Sequence, residues 1–178
     1  SCGSYTLSVT GPKVPEAPAN DVCNDAEELI LQPQPVEFEQ FIKVAIASGD
    51  TTFANIDGEN ATCGSSNSPG VWYMVAGTGD RMTAETCFGE WSRFMERARR
   101  IPYDTRLSIF TGRLADGDCQ NLSCITNNDD ACALQSSVAW ESELDVIYFI
   151  LVHGFGEARS GTYALRVSSN FFPAVDDW

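Results

Sequence analysis

Few residues in this chain have the types and spacing that chemistry needs. There is one histidine, His153, among 25 acidic and 11 basic side chains. A serine-nucleophile triad would have to use it, yet it closes the strand-like run Ile150-Leu151-Val152-His153-Gly154. No GxSxG elbow, HExxH helix or phosphate-binding loop accompanies it. His153 therefore reads as a polar residue at a strand end. Glu141 and Glu143 could form an acid/base pair on one strand face, but on so acidic a surface they read as solubility. The chain is expected not to be an enzyme. Asp104, Asp129 and Asp130 offer better chemistry. Calcium takes about six to eight hard oxygens, and Asn127-Asn128-Asp129-Asp130 with Asp104 could supply several of them. Asp21 and Asp25 are weaker candidates, because Asn-Asp also starts turns well.

Seven cysteines are present. Their spacings lack the CxxC pairs of zinc sites, and no second histidine exists to complete one. Disulfides and an oxidising, extracellular compartment follow. The expected set is Cys23, Cys63, Cys87, Cys132, Cys119 and Cys124. The most local pairing is Cys119 with Cys124, leaving Cys23–Cys63 and Cys87–Cys132. Cys2 is left over and available to bridge copies. Asn60 and Asn121 head sequons for N-linked glycans.

These residues must be positioned by strands. Residues 4–10 alternate, with Tyr5, Leu7 and Val9 on one face. Residues 11–19 form a Pro-rich linker with Pro12, Pro15 and Pro18. Asp25 to Leu29 could make a short capped helical turn. Val36, Phe38, Ile42, Val44 and Ile46 share one parity, as in a long strand. Further strands are predicted at Val71–Val75, Arg81–Cys87, around Leu107 and Ile109, around Val138 and Trp140, at 146–152 and at 163–167. The basic segment 91–100 interrupts them and could pair with an acidic face of another copy. The remainder reads as an all-β, jelly-roll-like sandwich over residues 20–170, stapled by disulfides, with a tail at 171–178.

A formal charge of −14 argues against nucleic acid as a partner. The apolar run Val146–Val152 is too short to span a membrane. The sequence also contains an echo. Gly3, Tyr5, Leu7 and Val9 match Gly161, Tyr163, Leu165 and Val167 at a constant offset. Two readings follow: a repeat array, or a strand donated into a neighbouring copy. In both, Cys2, Tyr5, Leu7 and Val9 would pack with another copy.

Five segments carry a family resemblance: Val71-Trp72-Tyr73, Tyr103-Asp104-Thr105-Arg106-Leu107, Asn128-Asp129-Asp130, Tyr148-Phe149-Ile150-Leu151-Val152 and Gly161-Thr162-Tyr163-Ala164-Leu165. In this order they resemble bacterial pre-peptidase C-terminal domains and their cysteine-rich relatives in eukaryotic and algal surface proteins. The resemblance implies a jelly-roll-like sandwich used as a non-catalytic appendage or repeated surface module, with calcium at acidic loops in some members. The basic insert and the cysteines depart from that pattern. The functional expectation is a structural subunit of an extracellular filament or repeat array, joined to copies of itself head to tail. The alternative is a calcium-assisted adhesion or glycan-binding module, in which Trp72, Trp91 or Trp178 could stack on sugars, although a core position suits Trp72 better.

Overall fold

A computed structural model describes residues 4, 16–35, 41–56, 63, 68–87, 103–112, 119–156 and 159–171. Ten strands run through them. They are β1 (Glu27–Glu28), β2 (Gln32–Pro35), β3 (Phe41–Asp50), β4 (Gly70–Ala76) and β5 (Arg81–Glu85), followed by β6 (Thr105–Thr111), β7 (Ser123–Asn128), β8 (Ser137–Glu141), β9 (Ile147–Gly154) and β10 (Thr162–Phe171). One sheet has the order β1-β4-β9-β6-β7 and the other β2-β3-β10-β5-β8. The chain passes repeatedly from one sheet to the other, as expected of a jelly-roll-like sandwich. Among the described residues the only helical pieces are two short 3-10 turns, Cys23–Asp25 and Cys119–Asn121.

Period-two alternation explains the main core. From the first sheet Val71, Tyr73, Val75, Leu107, Ile109, Ile150 and Val152 point inward. Met82, Ala84, Val138, Trp140, Leu165 and Val167 meet them from the second. The Tyr73 and Tyr163 hydroxyls join across the sandwich at 2.6 Å.

The first sheet is buried on its other face as well. Trp72, Phe110, Phe149 and Leu151 form a second apolar cluster there. Cys23, Ala26, Cys119 and Leu122 pack over it. This cover is why β4 and β9 read as continuous apolar runs rather than alternating ones.

Three bonds join the six cysteines: Cys23–Cys119, Cys63–Cys124 and Cys87–Cys132. The local pairing Cys119–Cys124, with Cys23–Cys63, is therefore corrected. Cys124 lies on β7 opposite Phe110 and meets Cys63 while remaining exposed itself. Cys119 sits on the neighbouring 3-10 turn and meets Cys23. Each loop covering the outer cluster is thus tied to a different part of the cover.

Two local expectations also change. Asp25–Leu29 is not a helical turn: the 3-10 turn ends at Asp25 and β1 follows. The apolar parity of Ile42, Val44 and Ile46 faces outward. Ala45 is the buried residue of β3, and Ile46 is 65% exposed. Ile46 lies opposite Arg166, on the face opposite inward-pointing Val167 and Leu165. At the edge beside β3, β2 carries Pro33 and Pro35, which remove ladder donors and blunt that edge against further pairing.

Candidate functional site

The loops gather at two opposite ends of the sandwich. The upper end holds the segments after β3, before β4, before β6, between β7 and β8, and between β9 and β10. The lower end holds the β4–β5 and β8–β9 turns and the end of β10. The chain comes in near the start of β4. There Asn20 exchanges hydrogen bonds with the Trp72 backbone at 2.8 and 2.9 Å. The buried Asp21 carboxylate accepts the Asn55 backbone N–H at 2.6 Å and its side-chain amide. Asp21 is therefore a latch between the incoming chain and the loop after β3.

The acidic residues Asp104, Asp129 and Asp130 all lie at the upper end, flanking β6 and β7. Ser136 Oγ donates to the Asp129 carbonyl at 2.9 Å, and the Phe155 N–H donates to the Asp104 carbonyl at 3.0 Å. Beneath them Thr86 and Thr105 share a hydroxyl hydrogen bond of 2.7 Å, beside the Cys87–Cys132 bridge. The Asp104 carboxyl is held above its usual range by partial burial and by the Asp130 and Asp129 carboxylates, against the pull of Arg159. Its Oδ1 is shielded from solvent, and no hydrogen-bond donor reaches it among the described residues. Among the described residues no group of three or more His, Cys, Asp or Glu is placed to hold a metal ion together.

His153 does stand at the end of β9, as its penultimate residue, and it is buried there. It is 2% exposed, on the covered face of β9. Its Nε2 lies 3.0 Å from Ser108 Oγ, which also bonds the Cys63 carbonyl at 3.1 Å. Burial, then the nearby Arg106 guanidinium, pushes its pKa from 6.5 down to about 4, against a backbone hydrogen bond at Gly154. The ring is neutral at physiological pH. The distance is that of a serine–histidine dyad, but Ser108 is itself fully buried. A hydroxyl that no substrate reaches does no nucleophilic work, so the pair serves to hold β6, β9 and the Cys63 segment together.

The other candidates are placed as follows. Glu141 ends β8 and pairs with exposed Arg81 at 3.0 Å. Glu143 lies beyond the strand, so the two carboxylates do not share a strand face. Trp72 is 1% exposed in the outer cluster, 5.5 Å from the Phe110 ring, and cannot stack on a sugar. Asn121 is exposed on the second 3-10 turn. Cys2, Tyr5, Leu7, Val9, Asn60, Trp91, Trp178 and the segment 91–100 lie outside the described residues.

Sequence reasoning missed the Ser108–His153 pair and the outer cluster. One signal was available: seven consecutive apolar residues at 146–152 fit a strand buried on both faces. A further feature had no such signal. Val22, Phe53, Ile56 and Phe155 are exposed apolar side chains, all at the upper end.

Three disulfides indicate an oxidising, extracellular-type compartment. Among the described residues no helix is long and apolar enough to cross a membrane. No family model matches the chain, and no curated protein matches it. Among solved structures it is similar to PliG of Aeromonas hydrophila, a periplasmic lysozyme inhibitor of g-type lysozyme. The identity is 10% and the TM-score 0.41, over 82% of this chain and 96% of that one.

Proposed function

We propose that this chain is a structural unit of an extracellular array, joined to copies of itself head to tail through the strand that carries Tyr5, Leu7 and Val9. One observation carries the reading. Tyr163, Leu165 and Val167 are the core-facing residues of β10, which lies between β3 and β5. The segment at 2–9 repeats their spacing and their glycine. A strand with that pattern needs a two-sided slot of the same kind. Here the slot is already filled by β10, paired with β3 over ten residues from Thr162 to Phe171. An identical copy holds its own β10 there too, so the strand at 2–9 would enter a neighbour by taking the place of that copy's β10 or by adding at an open sheet edge, and a head-to-tail contact that does not close gives a filament. N-linked glycans on Asn60 and exposed Asn121, and a place at the cell surface, accompany this reading.

Sedimentation velocity and negative-stain electron microscopy test it. The full chain should assemble with rising concentration. A Tyr5→Asp/Leu7→Asp/Val9→Asp variant should stay single with an unchanged melting point. A variant that assembles like the parent would refute the strand contact.

Calcium-assisted adhesion is the second reading, favoured by Asp104 Oδ1, which has no donor among the described residues, and by the Asp129 and Asp130 carboxylates that act on it. Calcium supplies two positive charges where three carboxylates repel, and these residues would contribute to its oxygen shell. Melting should then rise with calcium and fall back with chelator. An unchanged midpoint would remove this reading.

A further inference from the structure

We infer that β8 is an acceptor edge, which takes up an extended basic segment of another protein by β-strand addition. The inference stands apart from the head-to-tail reading and uses none of its residues.

Each sheet ends in two edge strands, and an unprotected edge invites pairing. Three of these edges are blunted. β1 is only two residues long, Glu27 and Glu28. β2 carries Pro33 and Pro35. β7 is bulged: Ile109 and Phe110 oppose Thr126 and Cys124, so Ile125 is an extra residue. β8 has none of these devices. It runs Ser137-Val138-Ala139-Trp140-Glu141 in unbroken register with β5. It contains no proline, glycine or lysine. No strand pairs with its other side among the described residues.

Hydrogen-bond alternation shows which backbone groups are open. The Thr86 N–H donates to the Ser136 carbonyl at 2.9 Å, and the Ser142 N–H to the Asp80 carbonyl at 3.1 Å. In an antiparallel ladder every second residue bonds to the same neighbour. Val138 and Trp140 therefore bond to β5 as Ser136 and Ser142 do. The backbone groups of Ser137, Ala139 and Glu141 point the other way. Asn128 Oδ1 takes the Ser137 N–H at 3.3 Å. Ala139 and Glu141 each keep a donor and an acceptor aimed outward.

Charge selects the occupant. Glu141 closes the strand at the lower end, with Glu143 just beyond it. At the upper end the Asp129 carbonyl accepts the bond from Ser136 Oγ, and Asp130 follows. A second copy pairing antiparallel about Ala139 would set Glu141 and Glu143 of one chain near Asp129 and Asp130 of the other, like charge against like charge. A strand with Lys or Arg at alternate positions meets the opposite condition. Its basic side chains would share the face of Ser137, Ala139 and Glu141, and oppose Glu141 across the pair. Arg81 reaches Glu141 from β5 at 3.0 Å, but the Glu141 side chain is still 75% exposed. The apolar side chains of the added strand would continue the inward row of Val138 and Trp140. The net charge of −14 draws such a segment in.

Titration calorimetry and amide hydrogen exchange on the full chain test the edge. The probe is the peptide acetyl-Thr-Arg-Val-Arg-Val-Arg-Thr-amide. Its Arg→Gln counterpart and a peptide of the chain's own residues 4–10 serve as comparisons. The Arg peptide should bind and slow exchange of the Ala139 and Glu141 amides. Its affinity should fall on the order of ten-fold as salt rises from about 0.05 to about 0.5 M. Ala139→Pro deletes an outward donor without removing a bond to β5, so melting should hold while affinity falls about ten-fold. Glu141→Lys leaves the backbone edge intact and should weaken the Arg peptide several-fold but not the Gln peptide; it decides the matter if Ala139→Pro does not fold. No binding, or binding that leaves the Ala139 and Glu141 amides exchanging freely, would overturn the inference. So would a Gln or 4–10 peptide that binds as tightly as the Arg peptide, because charge would then not choose the partner. Dimers of the chain that Ala139→Pro abolishes would overturn it too, by giving the edge to a second copy.

Discussion

Acidification should loosen the covered face of the first sheet through one residue, His153. In the fold its pKa is about 4, against 6.5 for a free ring. Between these values the unfolded chain binds more protons than the folded one, so stability is lost as pH falls from 6.5 through 4. At about 1.4 kcal/mol per pKa unit, the loss is about 2 kcal/mol by pH 5 and about 3 kcal/mol by pH 4. Asp104 works in the opposite sense. Its pKa is raised in the fold, so protonation in acid relieves a destabilising charge. The His153→Gln variant separates the two, since it keeps a polar group beside Ser108 but cannot titrate. Urea unfolding followed by tryptophan fluorescence, with disulfides intact, should be run on both proteins from pH 7 to pH 4. His153→Gln is expected to be less stable at pH 7, and the gap should close or reverse by about 3 kcal/mol on reaching pH 4. Parallel curves would show that His153 is not held neutral by burial beneath the Cys63 segment, and the structural reading of the dyad would fail with it.

Three further outcomes are expected. Replacing Cys63 and Cys124 together by serine removes a link across 61 residues and should cost about 4 kcal/mol in denaturant unfolding. Trp72 fluorescence should shift to the red as its cover loosens. Gly49→Ala would drive a methyl group into the Tyr163 hydroxyl and disturb its bond to Tyr73. A loss of about 1–3 kcal/mol is expected in thermal melting, partly recovered by adding Tyr163→Phe, whereas an unchanged midpoint would show that β3 can move aside. In secreted material Asn121→Gln should remove one glycan, read as a drop in intact mass; equal masses would show that this sequon is unused.

The sequence by itself determined that this is an all-β sandwich, because short apolar or alternating segments at 71–75, 81–87, 107–109, 138–140, 146–152 and 163–167 are separated by turn-rich stretches, and only 91–100 and the short stretch 25–29 offer a helical reading. It also pointed to disulfides but determined no pairing: Cys87–Cys132 is formed, yet from the sequence it was only what remained after Cys119–Cys124 and Cys23–Cys63, which are not. The pairings were decided in three dimensions. A disulfide needs Cα atoms about 4.4–6.8 Å apart, and nearness along the chain does not supply that when Cys119 lies on a turn and Cys124 on a strand. Which loop crosses the outer face of the first sheet set both partners. The same holds for β3. Alternation shows that Ile42, Val44 and Ile46 share a face, but not which face, and the register with β10 turned them outward. His153 and Ser108 lie 45 residues apart, so only the pairing of β6 with β9 could bring them together, and only the cover above that pair could leave the ring neutral.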